Sequence, residues 1–406
     1  MSPTDAPASS AQAVGPGHLS WLEKELDAWV AEDLVTGDAR AAIRARYVES
    51  RTLSYARILL FLGGAFVGIG LLWLVAANLE DLPPLVRFIA VTMIWLGFTG
   101  AAELVAYQRK ASDAHHSSPV VGALRIMSAL TYGAVIMQAA QSLQVPAFEP
   151  LLLGTWGIGV LLYAYAVRGV AALLIGIVIS STWFVWQTLD AAESALAAVL
   201  AVLAAGAAAA AIATLHESRW LPDFAAPWRE AGALLTLGGL FAAALPYVDA
   251  RDFEWTAVLI AGLATAAAIA IAALGFSTGR ERLDVLLALG AAGAGALLIL
   301  WDPAVPDRGE SVSAQAWISA FVSVGVYVGA AGAIAVLGVL RDSGRLKWIA
   351  TSALVVFTTV QSFAVFAPVM SGATLFLLLG AIFLGTGYGF DRARRKVVAS
   401  LDGGEW

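Results

Sequence analysis

Charged side chains inside long apolar segments are the residues of this sequence best placed to do chemistry. Glu103 lies about one turn from the end of an apolar run, Arg125 about two turns into the next, and Arg57 begins the first run. Each such charge costs roughly 2.5–3.5 kcal/mol near the centre of a membrane-spanning helix, so its retention calls for a partner or a role. We expect a buried Glu103–Arg125 ion pair with Arg57 nearby. Such a pair either fixes the register of two helices or serves as a gate or ligand site.

Uncharged polar residues form a second group of candidates. Gln138 and Gln141 share one helix end and could extend a polar path from the charged pair. Interhelical hydrogen bonding is the commoner use of such side chains, at about 1 kcal/mol or less each. Small residues are predicted to form close-packing surfaces between helices in three places, Gly64-x-x-x-Gly68, Gly325-x-x-x-Gly329 and Gly385-Thr386-Gly387.

A short acidic turn separates the first two apolar runs and carries the remaining candidates, which are Asn78, Glu80, Asp81 and Arg87. Arg87 can reach either carboxylate and so hold the turn in place. We expect this to be a structural role.

The patterns of soluble enzymes are missing from the sequence. It contains no H-E-x-x-H, G-x-S-x-G or Walker A motif and no cysteine. The four histidines fall in predicted loops or in the N-terminal tail, and the adjacent His115 and His116 are interpreted as a solvated pair rather than as metal ligands. We therefore predict no catalytic residue, no metal site and no cofactor, and we expect that the protein is not an enzyme.

Composition places the chain in a lipid bilayer. Hydrophobic residues make up 60% of the chain and charged residues only 13%, far outside the range of soluble proteins. Apolar runs of about 20 residues are long enough to cross the hydrocarbon layer as helices. We predict an all-α polytopic integral membrane protein with short loops and about twelve transmembrane helices, near 58–78, 85–107, 119–140, 150–167, 169–187, 192–214, 230–247, 255–275, 283–301, 315–340, 348–367 and 372–389. Residues 150–187 could be a tight hairpin or one broken helix.

The segments outside the bundle are short. Residues 1–17 are predicted to be a disordered tail, and 18–56 a cytoplasmic preamble of two helices, Leu19–Glu32 and Ala39–Ser54, with Asp38 as a cap. The bundle spans 57–390, and 391–406 form a basic cytoplasmic tail. The preamble either lies on the membrane surface or docks a protein partner.

Basic residues set the predicted orientation. With the N-terminus in the cytoplasm, 20 of the 24 Lys and Arg residues fall on the inner side, as the positive-inside rule requires. We predict a protein of the bacterial cytoplasmic (inner) membrane with both termini in the cytoplasm. The net charge of −6 gives no indication of nucleic-acid binding, so the predicted partners are the lipid bilayer and a possible protein bound through 18–56.

The first hairpin also carries a family resemblance. The run from Leu62-Gly63-Gly64 to Ala76-Ala77-Asn78, followed by Leu82-Pro83-Pro84 and Arg87, resembles the signature of a bacterial family of predicted membrane proteins, domain-of-unknown-function family 2157. The resemblance covers roughly residues 20–165 and includes Trp29 upstream and Gln138, Gln141 and Trp156 downstream. That family has no established activity, so the resemblance implies a class of protein and no mechanism.

Two functions from different classes fit these observations. The first is a transporter or permease-like protein for a small molecule or lipid, and the second is a membrane-embedded sensor, scaffold or assembly factor that docks partners through 18–56. A water-accessible cavity lined by Glu103, Arg125 and Gln138 would favour the first, and a dry bundle the second. From the sixth run on, no charge is expected in a helix core, which argues against a strongly ion-coupled mechanism.

Overall fold

The computed structural model describes residues 12–14, 16–49, 55–78, 83–111, 119–144, 146, 149–192, 194–217, 221–245, 253–301 and 314–366, with a few isolated positions beyond 376. Within these residues the chain forms thirteen α-helices, one 3₁₀ turn and a pair of three-residue strands. Two compact units divide the chain, Met1–Gly64 and Ala65–Trp406.

The first unit holds two short helices, α1 (Pro16–Ala31) and α2 (Gly37–Ala45). Salt bridges join them, Arg40–Asp27 at 2.7 Å and Arg44–Glu23 at 2.6 Å, and Leu26 is buried. Strand β1 (Gln12–Val14), inside the segment predicted as disordered, pairs in parallel with β2 (Tyr47–Glu49). The second helix therefore ends at Ala45 rather than at Ser54, because Tyr47 and Val48 enter a strand, which aromatic and β-branched residues favour.

Thr36, rather than the predicted Asp38, is the residue that caps α2. The Thr36 hydroxyl accepts a hydrogen bond from the backbone N–H of Ala39, while Asp38 lies in the first turn of the helix. A hydroxyl at the N-cap satisfies one of the free N–H groups, and an acid in the first turn complements the helix dipole, so both residues favour a helix start here.

Eleven long helices follow in chain order: α3 (Tyr55–Asn78), α4 (Pro84–Ala111), α5 (Pro119–Ser142), α6 (Pro150–Val167), α7 (Val170–Ala192), α8 (Ala195–Leu215), α9 (Pro222–Ala243), α10 (Ala257–Phe276), α11 (Arg282–Leu300), α12 (Ala314–Leu340) and α13 (Gly344–Phe366). Among the described residues, eight helices are long and apolar enough to cross a membrane. The polytopic all-α architecture is confirmed. The count of twelve stays a prediction, because most of 372–389 and of the basic tail lies outside the described residues.

Large apolar side chains cover the outer surfaces of these helices, as contact with a lipid bilayer requires. Met93 and Leu104 of α4, Ile271 of α10 and Phe321 of α12 are all well exposed. In water such continuous apolar surfaces would drive association, whereas hydrocarbon solvates them directly.

Residues 150–187 form two helices and not one broken helix. Helix α6 ends at Val167, Arg168 adopts the left-handed conformation with φ of 50°, and α7 begins at Val170. The backbone N–H of Gly169 returns to the carbonyl of Ala164, which closes the end of α6. A turn of two residues leaves no choice but antiparallel packing, so α6 and α7 form a tight hairpin.

Helix α8 is the centre of the second unit. It packs against α7, α9, α10 and α11, and it is the most buried of the candidate spans. Its sequence is almost entirely Ala, Leu and Val, so it presents apolar side chains in every direction and has no polar face. Small side chains also let the neighbouring helices approach closely, which is the main source of packing energy between helices in lipid.

The closest of these approaches is between α8 and α9. Gly232, Thr236 and Gly239 lie on one face of α9 and meet Leu203, Gly206 and Ala210 of α8. A Cβ atom on Gly232 would lie 2.9 Å from the backbone nitrogen of Ala210, and one on Gly206 would lie 2.9 Å from that of Thr236. Backbone therefore faces backbone along this contact, and only glycine fits at either position.

Candidate functional site

The structure brings Glu103 and Arg125 together between α4 and α5. Arg125 donates two hydrogen bonds to the carboxylate, from Nε to Oε1 at 2.9 Å and from Nη2 to Oε2 at 2.8 Å. The Arg125 side chain is only 14% exposed and the Glu103 side chain 36%. This fork-to-fork geometry is the strong form of a carboxylate–guanidinium pair.

Tyr163 completes this first site from α6. Its hydroxyl donates to Glu103 Oε1 at 2.8 Å, so three hydrogen bonds reach one carboxylate. One turn farther along, Thr99 of α4 bonds Ser128 of α5 at 2.6 Å. The polar groups of α4, α5 and α6 are thus partners of one another, and the arrangement ties three helices together.

The two predicted glutamines lie away from this pair. Gln138 is buried but lies 13 positions after Arg125 on α5, roughly 20 Å along the helix, and Gln141 beyond it is exposed. The side chains of Arg57 and Asn78 and the whole of Glu80 and Asp81 lie outside the described residues. Arg87 lies in the first turn of α4. Gln138 is therefore too far along α5 to share one lining with Glu103 and Arg125.

Replacing Glu103 by glutamine should lower the free energy of unfolding by about 1–2 kcal/mol, because the mostly buried Arg125 loses its counter-charge while the shape is kept. Reversible unfolding in mixed detergent micelles measures this change. The control is Gln141→Ala at an exposed position of α5, which should stay within about 0.5 kcal/mol of the native chain. An equal effect of the two substitutions would contradict a stabilising role for the pair.

A second and larger group of charges, absent from the sequence-based predictions, lies where α8 and α12 end and α9 and α11 begin. We call Glu217, Arg229, Asp284 and Arg341 the charge network. Arg229 binds Glu217 at 2.5 Å and Asp284 at 2.9 Å. Arg341 binds the same two carboxylates, at 2.6 Å and 2.9 Å. Each arginine therefore bridges both acids, and four segments of chain meet at one point.

Burial makes this network unusual. The Asp284 side chain is 2% exposed, and both arginine side chains are at most 12% exposed. The formal charges cancel, which is the condition under which buried charges are tolerated. Beside the network, Arg345 of α13 binds Glu230 of α9 at 2.9 Å. Ionic contacts therefore join the α8–α9 pair of helices to both α11 and the α12–α13 pair.

A small cavity opens directly beneath the network. Arg229, Thr236 and Asp284 line it together with apolar side chains of α8, α11, α12 and α13. The cavity has a volume of about 20 Å³, which is room for one water molecule. Asp284 uses only Oδ2 for its arginines, and the buried Oδ1 has no hydrogen-bond partner among the described residues.

Sequence reasoning missed the charge network because its members border predicted spans. Arg229 and Arg341 were assigned to exposed loops by the positive-inside pattern, and Asp284 falls at the very start of a predicted span. Helix α9 begins at Pro222, eight residues before the predicted run at 230–247, so Arg229 lies within the helix rather than in a loop. The sequence did offer one signal. Glu217 and Asp284 are acids on the predicted inner side, where Arg229 and Arg341 can neutralise them.

An aromatic group adjoins the charge network. The Trp228 indole N–H donates to Tyr165 Oη at 3.0 Å, and Tyr165 Oη lies 2.9 Å from Nε2 of His216. Since an indole can only donate, Tyr165 accepts from Trp228, and its own hydrogen is available for Nε2 of His216. Phe224 covers both rings, edge-on to Tyr165 and stacked on His216. Burial of the ring lowers the pKa of His216 and so favours its neutral form.

Residues 27–173 match the model of a protein family described as "Predicted membrane protein (DUF2157)". The predicted resemblance is therefore confirmed over about a third of the chain. The matched residues include Glu103, Arg125 and Tyr163, and the charge network lies after them. A search of curated proteins and a search of solved structures each returned no match.

Proposed function

We propose that this protein is a permease-like membrane protein for a small molecule or a lipid, and that the charge network is a gate at one end of its bundle. The observation that carries the proposal is the double bridge of Arg341. This arginine leaves the end of α12 and binds Glu217, after α8, and Asp284, in α11. Release of Arg341 would break the ionic link from the end of α12 to Glu217 and Asp284.

The energetic cost of the network supports a switching role over a purely stabilising one. Burying four charges is expensive, and well-packed apolar side chains often hold helices together equally well or better. Ionisable groups inside membrane bundles most often line pathways or serve as switches. A cavity with room for a single water beneath the network fits a gate in its closed position.

The orientation predicted from the basic residues places this gate on the cytoplasmic side. Arg280, whose carbonyl accepts a 3.4 Å bond from Arg341, lies in the adjacent turn and belongs to the same basic side. A closed cytoplasmic gate is one of the two states that alternating access requires.

The alternative is a membrane-embedded sensor, scaffold or assembly factor. It is supported by the first site, because Arg125 and Tyr163 occupy the Glu103 carboxylate and Gln138 lies far along α5. In the first unit, Trp21 and Leu34 expose apolar surface that could contact a partner. The two functions differ in whether water ever reaches the space beneath the charge network.

Single-cysteine labelling separates them, because the chain contains no cysteine of its own. The probe is Ala233→Cys in the cavity wall, labelled with a membrane-impermeant thiol reagent in inside-out vesicles. Ala331→Cys, buried away from the cavity, is the unreactive control, and Gly344→Cys, exposed at the start of α13, is the reactive one. If the protein is a permease, the thiol of Ala233→Cys should react slowly with the reagent when the charge network is intact.

Opening the gate should accelerate that labelling. In an Arg341→Gln background we expect at least a ~10-fold faster reaction at Ala233→Cys and no reaction at Ala331→Cys, because 1.4 kcal/mol of lost closing energy is tenfold in population. Glu217→Gln, a milder change at a half-buried acid, should act in the same direction. If Ala233→Cys does not react in the native chain or in either variant, the permease proposal is overturned and the scaffold function is the one supported.

A further inference from the structure

Two residues of the aromatic group are direct chain neighbours of the charge network. His216 precedes Glu217 at the end of α8, and Trp228 precedes Arg229 in α9. Tyr165 of α6 connects the pair by hydrogen bonds, so a change at the imidazole acts on both sides of the Glu217–Arg229 contact. His216 is 7% exposed, and its Nδ1 has no hydrogen-bond partner among the described residues.

We propose that His216 is a proton-binding site that controls the charge network, and that uptake of a proton at Nε2 weakens the hold of Glu217 on Arg229 and Arg341. The ligand is a proton from the aqueous phase at this end of the bundle. The proton site at His216 is independent of the proposed function, whereas its control of the network rests on the proposed gate.

The hydrogen bonds define what proton uptake changes. We assign to the neutral form the tautomer in which Nε2 accepts from the Tyr165 hydroxyl, whose oxygen in turn accepts from Trp228. After protonation Nε2 becomes a donor, so the Tyr165 hydrogen must turn away while its oxygen faces two donors. No covalent bond other than the new N–H forms, and one hydrogen bond reverses its direction.

Charge carries the effect from the imidazole to the network. The charges of Glu217, Arg229, Asp284 and Arg341 cancel, so a cation at the residue before Glu217 leaves a net charge of +1 in a buried region. A third cation competes with the two guanidiniums for the Glu217 carboxylate, and at low effective dielectric such competition is strong. The contacts on the ring from α6 and α9 are aromatic, from Tyr165 and Phe224, with Trp228 bonded to Tyr165, and the acids nearest in sequence are Glu217 and Asp223.

The pH window follows from the environment of the ring. Burial lowers the pKa of His216 below its ordinary 6.5, and the nearby Ile212 carbonyl offsets this only in part. The folded chain therefore binds the proton less readily than the unfolded chain. The stability that neutral His216 contributes to the fold is fully present above about pH 6.5. It is lost as the pH falls through and below that value, because the unfolded chain then takes up the proton first.

Nuclear magnetic resonance on the full chain tests the proton site itself. With His18, His115 and His116 changed to glutamine, His216 is the one imidazole left, and its ¹⁵N shifts in lipid bilayers report tautomer and charge. We expect the Nδ1–H tautomer at about pH 7.5 and a protonation midpoint below the ordinary histidine value of about 6.5. Tyr165→Phe should raise the midpoint. An Nε2–H tautomer, or a midpoint at or above the ordinary value, would overturn the proposal.

The reaction of Ala233→Cys tests control of the network. Its rate is divided by that of Gly344→Cys at each pH, which cancels the pH dependence of the thiol. As the pH falls from about 7.5 through and below about 6.5 we expect this ratio to rise at least ~3-fold in the native chain, because burial places the protonation midpoint of the imidazole below its ordinary value. His216→Gln keeps an acceptor for Tyr165 but cannot take up the proton, and its ratio should stay constant. An unchanged native ratio, or the same rise in the glutamine variant, would overturn control by His216. The tautomer and the protonation midpoint of His216 are measured by magnetic resonance, without any labelling. Failure of the proton site can therefore be distinguished from failure of the permease function.

Discussion

Replacing Asp284 by asparagine is expected to lower the free energy of unfolding by about 3–5 kcal/mol, the range seen when one partner of a buried ion pair is removed. Asp284 is 2% exposed and accepts from both Arg229 and Arg341 at 2.9 Å. Without its charge, two buried guanidiniums share the single carboxylate of Glu217. Asp284 also lies in the first turn of α11, where a negative charge complements the helix dipole.

Asp342→Asn is the matched control for this substitution. Asp342 directly follows Arg341, is exposed, and adopts a left-handed conformation with φ of 46° that asparagine tolerates. It should change the free energy of unfolding by less than about 0.5 kcal/mol. The double variant Asp284→Asn/Arg341→Gln should be less destabilised than the sum of the single variants, by about 0.5–3 kcal/mol. Strict additivity in the double variant would show that the charges do not act as a unit.

Gly232→Ala is expected to destabilise the bundle by about 1–3 kcal/mol, the usual cost of forcing an extra methyl group into a close contact. The new Cβ would lie 2.9 Å from the backbone nitrogen of Ala210 and 3.2 Å from the carbonyl oxygen of Gly206. Backbone atoms cannot rotate away as a side chain can, so α8 and α9 must separate. Gly206→Ala should have a comparable effect, because its Cβ would meet the backbone of Thr236.

Gly238→Ala provides the control on the same helix. A Cβ at Gly238 meets nothing within 4 Å among the residues that the structure describes, so alanine should gain helix propensity of up to about 1 kcal/mol without a clash. The two Gly→Ala changes in α9 should thus have opposite signs in unfolding experiments. Destabilisation of equal size at Gly232 and Gly238 would mean that general helix flexibility, and not the α8–α9 contact, sets the cost.

The pairing of Glu103 with Arg125 followed from the sequence, because two opposite charges inside adjacent apolar runs have few other partners. Tyr163 was missed, since one tyrosine among many apolar residues carries no signal until α6 is placed against α4. Gln138 was grouped with the pair although it lies near the other end of α5. Position along a helix decides such a grouping, and the 13-residue separation of Arg125 and Gln138 argues against it.

The charge network shows a different limit. Its residues come from helix ends that lie far apart in sequence, and Arg341 follows Glu217 by 124 positions. A basic residue beside an apolar run is normally solvated at the membrane surface, and nothing in one sequence distinguishes it from a buried one. Packing decides the matter, because the approach of α9 and α11 to α8 encloses the charges.

Glycine motifs were also only partly informative. Gly68 packs against Leu130, where a Cβ would lie 2.7 Å from Cδ1, but Cβ atoms on Gly325 and Gly329 would meet nothing within 4 Å in the part of the chain that the structure describes. The backbone contact between α8 and α9 uses Gly206 and Gly232, one glycine from each helix, and no G-x-x-x-G motif contains them. Spacing within one helix therefore identifies a smooth face, and the partner helix decides whether that face is used.

Electron spin resonance distance measurement between labels at Leu283→Cys and Gly344→Cys tests most directly whether the charge network acts as a gate. These positions are exposed at the starts of α11 and α13, on either side of Arg341. In lipid bilayers we expect the native chain to give mainly one narrow distance distribution. Glu217→Gln and Arg341→Gln should each add a population at longer distance. The same narrow distribution in the native chain and in both variants would contradict the account, because the helix ends would then stay together without the network.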